Sequence, residues 1–216
     1  MDLADSLRLI VITDRALAEP RSVEDVVGEA LKAGVRAIQL RDKTASARAL
    51  LGQAVRLREQ TREWGALLFI NDRFDVALAA EADGVHLGPD DLPVRTVREA
   101  APRGFLIGAS TDDPEIARKV EADGADYIGC GAVFPTSTKA DAGEVIGVEG
   151  LARVVAAVSI PVVGIGGVSP EGAWKIAEGS GAAGIAVIGA VMAARDPGEA
   201  ALRLLRPFEE DRGATG

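Results

Sequence analysis

The chain of 216 residues has one cysteine and one histidine. A lone cysteine, Cys130, excludes an intrachain disulfide, so a reducing cytoplasm is the expected compartment. With a single histidine, His86, no His/Cys cluster of the kind that holds zinc can form. Aromatic residues make up only 4% of the chain, so the core must be built from Val, Ile, Leu and Ala, the usual mixture for parallel strands covered by helices. No apolar run approaches the length of a membrane span. Residues 1–8 carry acidic side chains and lack the apolar stretch of a signal peptide. Basic residues are also short in number: 24 Lys and Arg stand against 33 Asp and Glu, a net charge of −9. That balance argues against nucleic acid or an anionic membrane as the main partner. It leaves room for a local basic pocket, and the expectation is a soluble protein acting on small molecules. Homo-oligomerisation is left open.

What the chain does have is alternation. Short β-branched runs lie at 7–13, 37–41, 67–71, 84–87, 106–110, 127–130, 160–164 and 184–188. Helical stretches lie between them at 22–33, 45–64, 74–80, 94–100, 113–122, 148–157, 171–178 and 197–209. Eight runs each followed by a helix predict eight βα units. A repeated connection supports this: Ala33-Gly34-Val35, Ala82-Asp83-Gly84-Val85 and Ala122-Asp123-Gly124-Ala125-Asp126 each lead into an apolar run. Each reads as a helix ended by glycine and a turn at the bottom of a barrel, where residues serve stability. A doubly wound open sheet would place a glycine-rich turn after the first strand, and Thr13-Asp14-Arg15 stands there instead. The fold class expected is therefore α/β, a single (β/α)8 TIM barrel over residues 1–210, with 211–216 as a frayed tail.

Function in such a barrel sits at the last strand residue and the loop after it. Polar residues collect at those positions: Gln39-Leu40-Arg41-Asp42-Lys43 after the second run, Asn71-Asp72-Arg73 after the third, and Gly88-Pro89-Asp90-Asp91 after the fourth. Ser110-Thr111 follows the fifth run, and Phe134-Pro135-Thr136-Ser137-Thr138-Lys139 lies in the long loop after the sixth. Two of the five lysines, Lys43 and Lys139, fall in these loops. In an extended chain Gln39, Arg41 and Lys43 point the same way, and Arg and Lys together can grip a diphosphate. Asp72 and Asp91 follow adjacent strands, and one or two carboxylates with substrate phosphate are a common magnesium site. Asp90 competes with Asp91 for that role. His86, at a strand end near the apolar core, reads first as a hydrogen-bonded structural histidine. Gly166-Gly167 and Ile188-Gly189-Ala190 end the seventh and eighth runs, where barrels often bind phosphate through backbone N–H groups. The loop 131–147 exceeds the usual βα connection and suits a lid or binding loop.

Taken in order, Ile12-Thr13-Asp14-Arg15, Gln39-Leu40-Arg41-Asp42-Lys43, Ile70-Asn71-Asp72-Arg73, Ala82-Asp83-Gly84-Val85-His86-Leu87-Gly88, Ile107-Gly108-Ala109-Ser110, the segment from Gly131 through Lys139, and Ile165-Gly166-Gly167-Val168 resemble the thiamine phosphate synthase family across nearly the whole chain. The resemblance implies condensation of a hydroxymethylpyrimidine diphosphate with a thiazole phosphate, giving thiamine phosphate and pyrophosphate after dissociative loss of the diphosphate. It implies Arg41, Lys43 and Lys139 as catalytic cations, and Asp72 and Asp91 as ligands of Mg2+. Contacts to the pyrimidine diphosphate fall on Gln39, Leu40, Arg41, Asp42, Lys43, Asn71, Ser110 and Lys139. Those to the thiazole phosphate fall on Thr136, Ser137, Thr138, Gly166, Gly167, Ile188 and Gly189. The chain departs from the family at Pro89, where Gln is common, at Gly189, where Ser is common, and at Asp42, where Glu is common. The stretch Ala142-Gly143-Glu144-Val145 also lacks the usual prolines. Two rival readings are a thiazole tautomerase on the same fold, which has a histidine where Ala132 stands, and a non-catalytic barrel that only binds a phosphorylated ligand.

Overall fold

The structure, a computed structural model, describes residues 2–136 and 144–210. Eight strands, β1 (Leu9–Ile12), β2 (Ala37–Leu40), β3 (Leu67–Asn71), β4 (Gly84–Leu87), β5 (Leu106–Ser110), β6 (Tyr127–Cys130), β7 (Val162–Ile165) and β8 (Gly184–Val187), pair in parallel in chain order, and β8 returns to β1 to close the barrel. Around it run α1 (Leu3–Ser6), α2 (Arg15–Ala18), α3 (Val23–Lys32), α4 (Ala47–Glu63), α5 (Phe74–Ala79), α6 (Val94–Ala100), α7 (Pro114–Ala122), α8 (Gly147–Val155), α9 (Pro170–Ser180), α10 (Gly189–Met192) and α11 (Pro197–Glu210). Four of the eight strands match the expected runs at both ends. The three short helices α1, α2 and α10 were not expected, because four residues are too few to show a period. None of the described helices is long and apolar enough to cross a membrane.

Local chemistry explains the helix starts. Ser22 accepts from Asp25 N while Asp25 reaches back to Ser22 N, a reciprocal cap on α3. Asp113-Pro114-Glu115 and Ser169-Pro170-Glu171 open α7 and α9 in the same way: a side-chain cap, a proline where no N–H is needed, and an acid near the helix dipole. Helix α3 buries Val26, Val27, Ala30 and Leu31 on one face. Five of the strands, β1, β2, β4, β8 and nearly all of β7, are buried along their length, because helices cover one face and the barrel interior the other.

The bottom turns hold one correction. Gly34 and Gly124 have φ of 106° and 102°, as expected of helix-ending glycines. Gly84 does not serve that purpose: Glu81 takes the left-handed position (φ 51°), and Gly84 is the first residue of β4. A Cβ there would sit 2.3 Å from the Leu106 carbonyl oxygen, so the reason for glycine is strand contact rather than helix termination. The aspartates beside these turns are clamps. Asp83 accepts two hydrogen bonds from the Arg58 guanidinium (2.7 and 3.0 Å) and one from Leu68 N (2.8 Å). Asp126 repeats the device with Arg98 and Ile107 N. Each ties a helix to the N-terminal end of a strand.

Replacing Asp83 by alanine leaves Arg58 and Leu68 N–H without this acceptor, and about 2 kcal/mol of stability should be lost. Denaturant unfolding measures it, and turnover below the transition should stay near that of the unsubstituted chain, because the clamp lies at the rim opposite the strand C-termini.

Candidate active site

Parallel closure sends every strand's C-terminal end to one rim, and there a cavity of about 590 Å³ opens. Arg41 and Lys43 line it from the loop after β2, Asn71 and Asp72 from β3 and its end, and Asp90 and Asp91 from the turn after β4. Consecutive residues in an extended chain face opposite ways, yet Asn71 and Asp72 both reach the cavity. The reason is that Asp72 has φ 62°, a left-handed conformation that aspartate tolerates better than most residues. The turn is anchored by Asp72 N donating to His86 O (2.8 Å).

Asp72 and Asp91 meet through their side chains. Burial, a hydrogen bond with Asp91 and repulsion from its charge push the Asp72 carboxyl up to about 6, while Lys43 and Arg41 pull it the other way. In the metal-free protein Asp72 therefore keeps its proton to a higher pH than an ordinary carboxyl. Asp91 also accepts from Gly88 N (2.6 Å), which fixes its direction and resolves the choice between Asp90 and Asp91 as the partner of Asp72. Among the described residues no group of three or more His, Cys, Asp or Glu could hold a metal. Two converging carboxylates nonetheless fit the share that a protein can supply to a magnesium ion, with phosphate and water as the other ligands. Among the described residues, four carboxylates, Asp72, Asp90, Asp91 and Asp112, line the cavity with Arg41 and Lys43.

Beneath the cavity floor the lone histidine is held on both sides. His86 Nδ1 lies 2.9 Å from Tyr127 Oη and Nε2 lies 2.8 Å from Ser110 Oγ. Ser110 in turn faces the cavity. His86 is thus hydrogen-bonded as expected, and it also lines the cavity.

Three residues expected to contact substrate do not line the cavity. Gln39 is buried one layer down, against Tyr127, because the side chain two residues before Arg41 points into the barrel rather than out of its mouth. Leu40 faces the other way and belongs to the hydrophobic core. Asp42 turns back on its own loop, where its Oδ1 accepts from Thr44 N, Thr44 Oγ1 and Ala45 N. Burial raises the Asp42 carboxyl, but the hydrogen bonds from Thr44, Ala45 and Gln53 outweigh it and hold the group below its ordinary range. Asp42 is thus a brace for the loop that presents Lys43. Thr136, Gly166, Gly167, Ile188 and Gly189 all line the cavity as expected. Ser137, Thr138 and Lys139 lie outside the described residues, as do 140–143 of the same loop and the tail 211–216. The loop is anchored at both described ends: Val133 N donates to Ile165 O, Phe134 N to Gly166 O, and Ile146 N to Ala132 O. That packing explains the glycine pair, since a Cβ on Gly167 would lie 2.3 Å from Pro135 O and one on Gly166 2.7 Å from Ala132 Cα. Sequence reasoning missed Tyr127, whose only signal was a pair of glycines in neighbouring strands, Gly108 and Gly129.

A closed parallel barrel with a polar cavity at its C-terminal mouth, holding paired carboxylates beside two cations, defines a (β/α)8-barrel enzyme. Residues 9–191 match the family described as thiamine monophosphate synthase. A thiamine-phosphate synthase of Pyrococcus furiosus is 48% identical over 213 residues, covering 99% of this chain and all of the relative. One of Archaeoglobus fulgidus is 50% identical over 203 residues, 94% of each chain. The solved thiamine phosphate pyrophosphorylase of Pyrococcus furiosus superposes with a TM-score of 0.87 at 46% identity, over 97% of this chain and 98% of that one. The chain belongs to the thiamine monophosphate synthase family.

The Asp72–Asp91 pair also predicts how stability depends on pH. A carboxyl whose folded pKa is raised from 3.8 to about 6 contributes stability that is full below pH 3.8 and is lost as pH rises through 6. For this half-exposed group the loss should be on the order of 1 kcal/mol after solvent screening. Urea midpoints of the metal-free protein, taken between acid and neutral pH, should show it. Asp91→Ala should flatten the dependence, and an unchanged slope in that variant would reject the pairing.

Proposed function

We infer that the protein is a transferase that joins a hydroxymethylpyrimidine diphosphate to a thiazole phosphate, giving thiamine phosphate and pyrophosphate. The observation that carries this reading is the convergence of Arg41, Lys43, Asp72 and Asp91, from three different strand ends, on one cavity. In a closed eight-stranded barrel β3 lies across from β7 and β4 across from β8. A diphosphate held over β2–β4 and a phosphate held over β7–β8 therefore leave their reacting ends between them. Proximity of that kind is a large part of the rate advantage in bimolecular reactions.

The chemistry asks for cations more than for bases. The bond between the pyrimidine methylene carbon and the diphosphate oxygen breaks, and its electron pair leaves with pyrophosphate. The thiazole nitrogen then gives its lone pair to that carbon, and no proton has to move. Arg41 and Lys43 stabilise the charge growing on the departing oxygens, where fixed cations act most strongly. Lys139 joins them in this reading. Asp72 and Asp91 would hold Mg2+, which when bound supplies further positive charge to the diphosphate. Asn71 and Ser110 supply polar contacts from the floor and wall, and Thr136 with backbone at Gly166, Gly167, Ile188 and Gly189 receives the thiazole phosphate. Ala132 lines the cavity at the position where the tautomerase relative carries a histidine, so the isomerase reading lacks its acid or base there.

An end-point assay with both substrates and magnesium, each omitted in turn, tests the function: thiamine phosphate should form only with all three. Asp72→Ala should lower magnesium-dependent turnover at least about a hundredfold, and wild-type activity in that variant would remove Asp72 from the site. The apparent affinity for magnesium should also weaken about tenfold per pH unit below 6, because metal must displace the proton held by Asp72. Metal titrations followed by calorimetry at stepped pH measure this, and a pH-independent affinity would place the ion elsewhere.

A further inference from the structure

Inside the barrel, directly under the cavity, a file of polar side chains runs through otherwise apolar surroundings. Gln39 lies against Tyr127, Tyr127 Oη meets His86 Nδ1 at 2.9 Å, and His86 Nε2 meets Ser110 Oγ at 2.8 Å. The barrel is shaped around this file. A Cβ on Gly108 would stand 2.3 Å from Tyr127 Cζ and 2.5 Å from His86 Nδ1, and one on Gly129 would stand 3.0 Å from His86 Cε1. Two adjacent strands thus give up a side chain to seat two rings. Phe69 closes the far side edge-on to Tyr127, with ring centroids 5.2 Å apart. Tyr127 has no exposed surface, and burial drives its phenol far above the usual range, so it is a neutral O–H at any working pH.

Hydrogen bonds in such a file must share one direction. A neutral imidazole has one N–H and one bare nitrogen. If Tyr127 donates to Nδ1, the ring hydrogen lies on Nε2 and is given to Ser110 Oγ. The Ser110 hydrogen is then left to point into the cavity. Run the other way, Ser110 donates downwards and shows the cavity only lone pairs. A diphosphate presents acceptors, so only the first direction serves it.

We propose that Tyr127 and His86 are positioning residues that hold the Ser110 hydroxyl as an obligate hydrogen-bond donor to the pyrimidine diphosphate. This rests on the reading of the substrate given above, but the direction of the file is a property of the free protein. An apolar core layer would be simpler to pack, and buried polar networks are costly unless fully satisfied. Pre-set orientation of a substrate-facing donor is what this one supplies, since a donor already aligned needs no reorganisation when the substrate arrives.

The single histidine makes the test direct, because its ring nitrogens give the only imidazole signals in a 15N-labelled chain. Long-range proton–nitrogen correlation spectra of the substrate-free wild type should show the hydrogen on Nε2, and Tyr127→Phe should lose that preference. In kinetics Tyr127→Phe should lower kcat/KM for the pyrimidine diphosphate about tenfold, the worth of one aligned hydrogen bond, with KM for the thiazole phosphate unchanged. Added to Ser110→Ala, the same change should cost less than about twofold more, because it acts through Ser110. If Tyr127→Phe does not fold, His86→Gln, whose amide keeps a donor near the place of Nε2, should retain more activity than His86→Leu. A wild-type hydrogen on Nδ1, or losses from Tyr127→Phe and Ser110→Ala that multiply, would overturn the proposal. Absence of turnover in the wild type would overturn the transferase reading instead, since the tautomer is measured without substrate.

Discussion

Pairing of β8 with β1 closes the sheet, and that closure is the constraint from which the rest follows. It leaves no sheet edge, so every strand hydrogen-bonds on both sides and faces burial on both surfaces. All strands being parallel, it also gathers eight C-terminal ends at one mouth. Arg41, Asp72 and Asp91 are far apart in the chain and become neighbours only because β2, β3 and β4 are adjacent staves of one barrel. The opposite rim carries the ordinary work of cohesion, seen in the Arg58–Asp83 and Arg98–Asp126 clamps.

At the mouth the structure accepts local cost. Two carboxylates are held side by side, and one of them occupies a left-handed backbone position. Both features oppose stability in the isolated chain. Departures from low-energy arrangement gather at functional sites. The buried file under the cavity is a second such place, where two strands exchange packing for polar order.

Much of the architecture was legible before any coordinates. The β-branched runs and the helical periods between them mark the eight units, because a strand buried on both faces must be apolar throughout. Terminal residues of β3, β4, β5 and β6 agree with the runs read along the sequence. The short helices were not legible, since one turn has no period to detect. Gly84 misled for a physical reason: glycine serves both positive φ and close backbone approach, and a sequence does not say which.

By itself the sequence determined the alternation of elements, the polar character of the strand ends, and the residue types available for chemistry. Local propensity and periodicity are properties of near neighbours, and they survive without a fold. Only the tertiary structure decided that Asp91 rather than Asp90 meets Asp72, that Asp42 braces its own loop, and that Gln39 belongs to a buried network with Tyr127 and His86. Those outcomes depend on which way each side chain leaves a closed and twisted sheet, and that direction is set by contacts between segments that the chain order keeps apart.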